Sequence, residues 1–327
     1  MARADLLVQL AKAAIVGDSN RIAQSLEGII AEEHDKNHKI LADRLTRVLR
    51  ENGEHRRTGR ILQNGVSTLV HDIVPEKTLG DVYLSKANKI ILHELIEENH
   101  RRELLQTYGI SPRSRLMFVG PPGNGKTTLA EALAYELMLP LVVVRYEGLI
   151  GSFLGETASR MNKIFEYARQ RHCVLFFDEF DVIGKERGDR HETGEIKRVV
   201  SSLLLQVDAL PSRTIIVVAS NHAHLLDKAA WRRFQVRIEL SPPKKTEVAT
   251  YIVDYQRKTK LNFGLAPATI ATKLKPSSYA ELEEFCRDVL RSAILKNKKH
   301  NAKLLTNQRI AQWNQRDNLK KRTQKEN

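Results

Sequence analysis

The chain is predicted to be α/β: a five-stranded parallel sheet covered by helices, with a small helical segment ahead of it and an α-helical lid behind it. Three observations predict this. Apolar runs beginning at Arg115, Leu141, Val174, Ile215 and Val236 alternate with stretches of helical periodicity, and strands separated by helices pair in parallel. The runs are continuously apolar, as strands buried on both faces must be. Strand signals are also confined to the middle of the chain. Ser241-Pro242-Pro243 closes them off, because proline cannot continue a central strand, and the residues beyond read as helix alone.

Residues 1–51 carry three helical patterns: Leu7, Leu10, Ala11 and Ala14 share a face, then Ile22, Leu26, Ile29 and Ile30, then Leu41, Leu45, Val48 and Leu49. Gly17-Asp18-Ser19 and the polar residues from Asp35 to Asn37 break them. A segment this short encloses no roomy core and must pack on something. It is expected to recognise a partner or substrate, with plain packing or oligomerisation as the other reading. His34 and His38 stand four apart, as metal ligands can, but no third ligand accompanies them and they read as solvated. Residues 52–70 form a linker on their polar, basic composition and the Asn64-Gly65 pair.

The sheet domain is assigned to 71–242. One amphipathic helix is expected from Ser85 to Tyr108, a second over Glu156–Gln170 with Met161, Ile164, Phe165 and Ala168 inward, and a third marked by Ile196, Val199, Val200, Leu203 and Val207. In the lid, 243–327, Val248, Tyr251, Ile252 and Tyr255 form one stripe and Leu282, Phe285, Cys286, Val289, Leu290 and Ala293 another. A last basic helix from Thr306 to Lys321 has Ile310 and Trp313 as its apolar contacts.

With 327 residues, 42% hydrophobic and 28% charged, the chain has the composition of a globular protein with a substantial core. The 53 Lys+Arg against 39 Asp+Glu give a net charge of +14, which favours acidic partners: nucleic acid, an acidic peptide or nucleotide. Cys173 and Cys286, far apart and each within an apolar pattern, are expected as buried free thiols of a reducing compartment. No run reaches membrane-spanning length and the start lacks a signal peptide's apolar core, so a cytoplasmic location is expected.

The strongest motif follows the first strand. Gly120, Gly125, Lys126 and Thr127 fill the fixed positions of G-x-x-x-x-G-K-[ST], after a buried strand and opening a helix, which is the setting of a P-loop NTPase. Glycines let backbone N–H groups curl around a polyphosphate while the helix N-terminus adds its positive end. Pro122, Gly123, Asn124 and Thr128 complete the expected binding loop; Lys126 is assigned to the β and γ phosphates of ATP and Thr127 to Mg²⁺. The run from Cys173 to Phe177 then delivers Asp178 and Glu179 at the C-terminal end of a strand, where open α/β sheets bind ligands. Asp178 is expected to hold Mg²⁺, Glu179 to polarise the attacking water, and Asp181 only to begin a loop. Asn221, at the tip of the Ile215 strand, is a candidate to bond both that water and the γ phosphate. Arg232 and Arg233 lie far from their own phosphate loop and are expected to act in trans on the transferring phosphoryl group.

Together GPPGNGKT, FFDEFD, SNH and LLDKAAWRRF resemble the AAA clade of the AAA+ ATPases, over about residues 70 to 320. The resemblance implies Walker A and Walker B motifs, a sensor asparagine at Asn221, arginine fingers at Arg232 and Arg233, and a ring, usually a hexamer, with ATP at each subunit boundary. Ser277-Ser278-Tyr279-Ala280 stand where a lid arginine would be, as is common in this clade. The segment from Leu149 to Glu156 is similar to the family's first pore loop. Phe153 and Leu154 would grip an extended polypeptide while Gly151 and Gly155 let the loop move, and Arg187, Arg190 and His191 belong to a counterpart of the second pore loop. The N-terminal helices, FLGET, EIKRVV and WRRF also resemble small bacterial AAA ATPases encoded beside subtilisin-like serine proteases. The chain has no H-E-x-x-H or G-x-S-x-G of its own, so any proteolysis would come from a separate chain. The expected function is therefore an ATP-driven unfoldase. A nucleic-acid motor, suggested by the charge and by the lysines from Lys296 to Lys303, and a nucleotide-switched scaffold for a partner enzyme are the alternatives.

Overall fold

In a computed structural model of the chain, the residues described are 4–16, 19–35, 45–46, 66–145, 149, 154–181, 202–222, 228–274, 276, 278–295 and 302–323. Two units divide it, 1–68 and 69–327. In the first, helices α1 (Ala4–Val16) and α2 (Ser19–Asp35) pack on each other. Ile29 is buried as expected, but on α1 it is Leu6 and Leu10 that are partly covered, while Leu7 is exposed. Gly28 explains the shift: it has no side chain, and a Cβ there would lie 3.3 Å from Leu6. Of the third expected helix, only 45–46 are among the described residues.

The second unit is built on a sheet of order β1-β3-β4-β5-β2-β6. The strands β2 (Arg115–Val119), β3 (Leu141–Val144), β4 (Val174–Phe177), β5 (Ile215–Ser220) and β6 (Val236–Glu239) are mutually parallel, the five expected from sequence. A sixth, β1 (Val70–Ile73), adds antiparallel to β3, with Val70 opposite Val144 and Ile73 opposite Leu141. β4 and β5 are buried along their whole length, whereas the edge strand β6 alternates buried and exposed.

The expected helix from 85 to 108 is two helices, α3 (Lys86–His100) and α4 (Arg102–Thr107), because Arg101 leaves helical geometry at φ −100°, ψ 26°. α3 starts where Ser85 accepts the Asn88 N–H, and it buries Leu92, Leu95 and Ile96 against the sheet core. α5 (Lys126–Glu136) follows β2 directly, and α6 (Leu154–Arg169) precedes β4. Of the helix expected through Ile196 to Val207, the described part covers 202–208. α7 (Lys228–Arg233) leads into β6.

The C-terminal helices are α8 (Lys245–Thr259), α9 (Pro267–Lys273), α10 (Tyr279–Leu295) and α11 (Ala302–Thr323). They enclose an apolar cluster of their own, with Val248, Ile252, Phe263, Ile270, Leu282, Phe285 and Ile310 buried. Trp313 meets Phe285 edge-on at 6.0 Å. Cys173 and Cys286 are buried free thiols, and burial pushes the Cys173 thiol up to about 12. Among the described residues, no helix is long and apolar enough to cross a membrane.

Candidate functional site

Parallel pairing brings the C-terminal ends of β2, β4 and β5 side by side, and a cleft of about 610 Å³ opens above them. Each strand hands it a polar turn. β2 delivers the phosphate loop, β4 the pair Asp178 and Glu179, and β5 Asn221. Pro122 through Thr128 line the cleft with Asp178, Glu179 and Asn221, so the sequence-predicted binding residues meet in one place.

The loop's glycines are needed where it is tightest. Gly120 (φ +146°) passes so close to β6 that a Cβ would sit 2.2 Å from the Leu240 carbonyl oxygen. Gly125, in the left-handed region at φ 86°, precedes the first turn of α5 and turns that helix's N-terminus toward the cleft. Lys126 is buried and its ammonium donates to the Gly120 and Pro121 carbonyls at 2.7 and 3.1 Å. Burial holds its pKa below the usual ammonium value, opposed by the charges of Asp178, Asp181 and Glu179.

Thr127 Oγ1 donates to Asp178 Oδ2 at 2.8 Å, which joins the hydroxyl that opens α5 to the carboxylate that ends β4. Hard oxygen donors of this kind suit Mg²⁺ shared with phosphate oxygens. Among the described residues, no group of three or more His, Cys, Asp or Glu is gathered to hold a metal by itself. His38 lies outside the described residues. Glu179 has φ +47°, unusual for a side chain with a Cβ, and its N–H donates to Asp178 Oδ1 at 2.9 Å. Asp181, expected only as the start of a loop, is instead buried with Oδ1 accepting the Asn221 N–H at 3.2 Å, tying the ends of β4 and β5 together.

Two expected site residues stand away from this cleft. Arg232 is exposed at the end of α7, and Arg233 donates from Nε to Asp208 at 2.9 Å, beside Arg115, which reaches the same carboxylate at 3.2 Å. Phe234 behind them is buried and meets Phe180 edge-on at 6.3 Å, so α7 touches the loop that carries Glu179. Leu154 opens α6; Phe153, Gly151, Arg187, Arg190 and His191 lie outside the described residues.

Sequence reading missed the far end of the cleft. Tyr83, Tyr251 and Tyr279 converge there, Tyr83 stacked on Tyr279 at 5.3 Å and 13° and tilted against Tyr251 at 5.1 Å. Tyr83 Oη donates to Asp254 at 3.0 Å and Lys258 lies 3.8 Å from Asp81. Burial first, and for Tyr83 the Asp254 carboxylate second, pushes the pKa values of Tyr83 and Tyr251 well up, so both phenols stay neutral. Only Tyr251 and Tyr279 were visible in lid patterns, and nothing in their spacing linked them to Tyr83. Aromatic rings beside the apolar Val82 suit a planar heterocycle whose phosphates lie on the glycine loop.

The family model "ATPase family associated with various cellular activities (AAA)" matches residues 116–242. The chain is similar to the AAA family ATPase y4kL of Sinorhizobium fredii, 35% identical over 306 residues covering 91% of this chain and 92% of that protein. It is 32% identical over 231 residues to the peroxisomal ATPase pex6 of Schizosaccharomyces pombe, covering 68% of this chain and 24% of that protein. Against the 26S proteasome regulatory subunit 8 homolog of Encephalitozoon cuniculi it is 31% identical over 254 residues, 74% and 64% of the two chains.

Proposed function

We propose that this chain, which belongs to the AAA family of ATPases, couples ATP hydrolysis to the unfolding or remodelling of other proteins within a ring of identical subunits. Similarity to a peroxisomal ATPase and to a proteasome regulatory subunit favours protein over nucleic acid as what is acted on.

In the proposed cycle the loop from Pro122 to Thr128 holds the polyphosphate, and Lys126 turns from the loop carbonyls to the β and γ phosphates. Thr127 and Asp178 would hold Mg²⁺, which neutralises charge on the phosphate oxygens when bound. Glu179 takes a proton from the attacking water, and Asn221, steadied by Asp181, bonds that water and the γ phosphate. Arg232 and Arg233 of a neighbouring subunit stabilise the transferring phosphoryl group. Phe153 and Leu154 grip an extended polypeptide, Arg187, Arg190 and His191 meet its acidic stretches, and cutting, where it occurs, belongs to a separate subtilisin-like protease chain. The domain roles follow: 1–51 recognises partner or substrate, 52–70 links, 71–242 binds and hydrolyses ATP, and 243–327 is the moving lid.

One observation carries the ring reading. Among the described residues the cationic side chains lining the cleft are Lys77, Lys126 and Lys258, with no arginine, while Arg233 is paired with Asp208 of its own chain, outside that lining. A guanidinium for the γ phosphate then comes from another copy. The test is Glu179→Gln incubated with ATP, which is expected to hold a discrete oligomer with polypeptide trapped in it. A variant that stays monomeric at every concentration, or one that retains DNA instead of polypeptide, would overturn the proposal.

A further inference from the structure

A helix leaves its first backbone N–H groups without partners inside the helix. In α10 the third of these, Glu281 N–H, donates to Ser278 Oγ at 3.2 Å, an ordinary cap from its own segment. The first two do not. Tyr279 N–H donates to Asn124 Oδ1 at 3.2 Å and Ala280 N–H to the Gly123 carbonyl at 2.9 Å, both in the phosphate loop. Asn124 is buried, and its amide nitrogen donates to the Pro121 carbonyl at 3.3 Å, so its orientation is held from two sides. The approach is close: a Cβ on Gly123, which has φ +77°, would lie 2.9 Å from Ser278 Oγ and 3.1 Å from Ala280 Cβ. The Tyr279 ring then stacks on Tyr83, and its hydroxyl donates to Glu247 on α8 at 3.3 Å.

We propose that Asn124 and Tyr279 are positioning residues through which the phosphate loop caps the lid helix, so that a rearrangement of the loop around nucleotide moves the lid. It rests on the cleft being the ATP site. The lid cannot leave the loop without uncapping α10, and it cannot leave the body without separating Tyr279 from Tyr83. The lid therefore follows the loop, and the Tyr279–Tyr83 stack is the contact that gives as the lid moves against the body.

Proline tests this cleanly. It is favoured at the first position of a helix yet has no N–H, so Tyr279→Pro removes the donor while keeping α10, and Tyr279→Ala removes the ring but keeps the donor. Labels are introduced in the full chain at the exposed positions His93 on α3 and Arg287 on α10, where the buried native cysteines do not compete. The label distance is measured with ADP and with a slowly hydrolysed ATP analogue, alongside nucleotide affinity and the split between kcat and KM. The expected result is a nucleotide-dependent distance change in the parent and in Tyr279→Ala that falls by at least half in Tyr279→Pro, with kcat of Tyr279→Pro about 10-fold below that of Tyr279→Ala and nucleotide affinity within a few-fold between these two variants, which lack the same ring. A change of equal size in Tyr279→Pro and Tyr279→Ala overturns the coupling while leaving the ATP site intact. A parent that binds no ATP overturns the site reading and the coupling with it.

Discussion

Glu179 is held in a left-handed backbone conformation at the end of a buried strand, beside Asp178 and within the cleft that holds Lys126 and Thr127. Such a conformation costs about 1–3 kcal/mol and persists only where the surroundings impose it. Replacing its carboxylate should therefore separate binding from chemistry. In Glu179→Gln, ATP is expected to bind with wild-type affinity in a filter or fluorescence assay, while turnover falls by about 10² to 10⁴, the range for loss of a general base. Unchanged turnover would remove Glu179 from that role. Asp181 is the residue whose part the sequence hid. An acidic residue three positions beyond the first carboxylate looks like a solvated loop start until β5 is known to end beside it. Asp181→Ala leaves the Asn221 N–H without its acceptor, so a stability loss of about 1–3 kcal/mol is expected in denaturant melts, together with a lower kcat. The thiols give a pH prediction. Burial raises the Cys173 pKa to about 12, so the thiolate fraction at pH 8 is negligible, and native protein should not react with a thiol reagent until it is unfolded. Reaction at the native rate of a free thiol would contradict that burial.

Among the elements, α10 shows most directly how local chemistry and distant packing share a task. Its apolar face was legible from the spacing of Leu282, Phe285, Cys286 and Val289, while the structure adds the cap that Ser278 gives the Glu281 N–H. Ser278→Ala is expected to cost about 1 kcal/mol by thermal melting, the ordinary value of a lost cap. A result near zero would mean that the phosphate loop caps the helix by itself. The central strands β4 and β5 were legible because each is an uninterrupted apolar run, buried on both faces. The edge strand β1 was not, since Val-His-Asp-Ile has two charged or polar residues in four and is held by partners distant in sequence: its pairing with β3, and Tyr167 and Arg171 on Asp72. The break at Arg101 leaves no mark in the sequence for a related reason. The apolar spacing continues across it, and the backbone departs from helix over a single residue.

On the scale of the whole molecule, the proposed motor works at a seam between two copies, and that has a test no single-chain enzyme passes. A subunit carrying Arg232→Ala and Arg233→Ala keeps a complete cleft, and a Glu179→Gln subunit keeps its arginines. The arginine variant alone is expected to lose at least about 10³ in kcat, in line with the measured worth of arginine fingers, and Glu179→Gln alone about 10² to 10⁴, as for a lost general base. Mixed, they should recover part of the activity, because mixed seams pair one intact cleft with one intact arginine pair. No recovery on mixing would place the arginines' effect within one subunit, and the ion pair of Arg233 with Asp208 would then be its whole role. Specific activity of the wild-type chain should also climb steeply with protein concentration.

The phosphate loop, the paired carboxylates and the alternation of strands with helices were determined by the sequence alone, because each depends on residues adjacent along the chain: glycines that permit a turn, a hydroxyl beside a lysine, an apolar run ending in acid. Tertiary structure decided what depends on residues brought from far apart. It set Tyr83, Tyr251 and Tyr279 around one end of the cleft, turned Asp181 toward Asn221, and let Asn124 close the first turn of a helix 155 residues away. For the tyrosines and Asn124 the physical reason is the packing of the C-terminal helices on the phosphate loop and its surroundings; for Asp181 and Asn221 it is parallel pairing. It gathers the ends of strands distant in sequence on one edge of the sheet, where their polar groups find partners that no local pattern records.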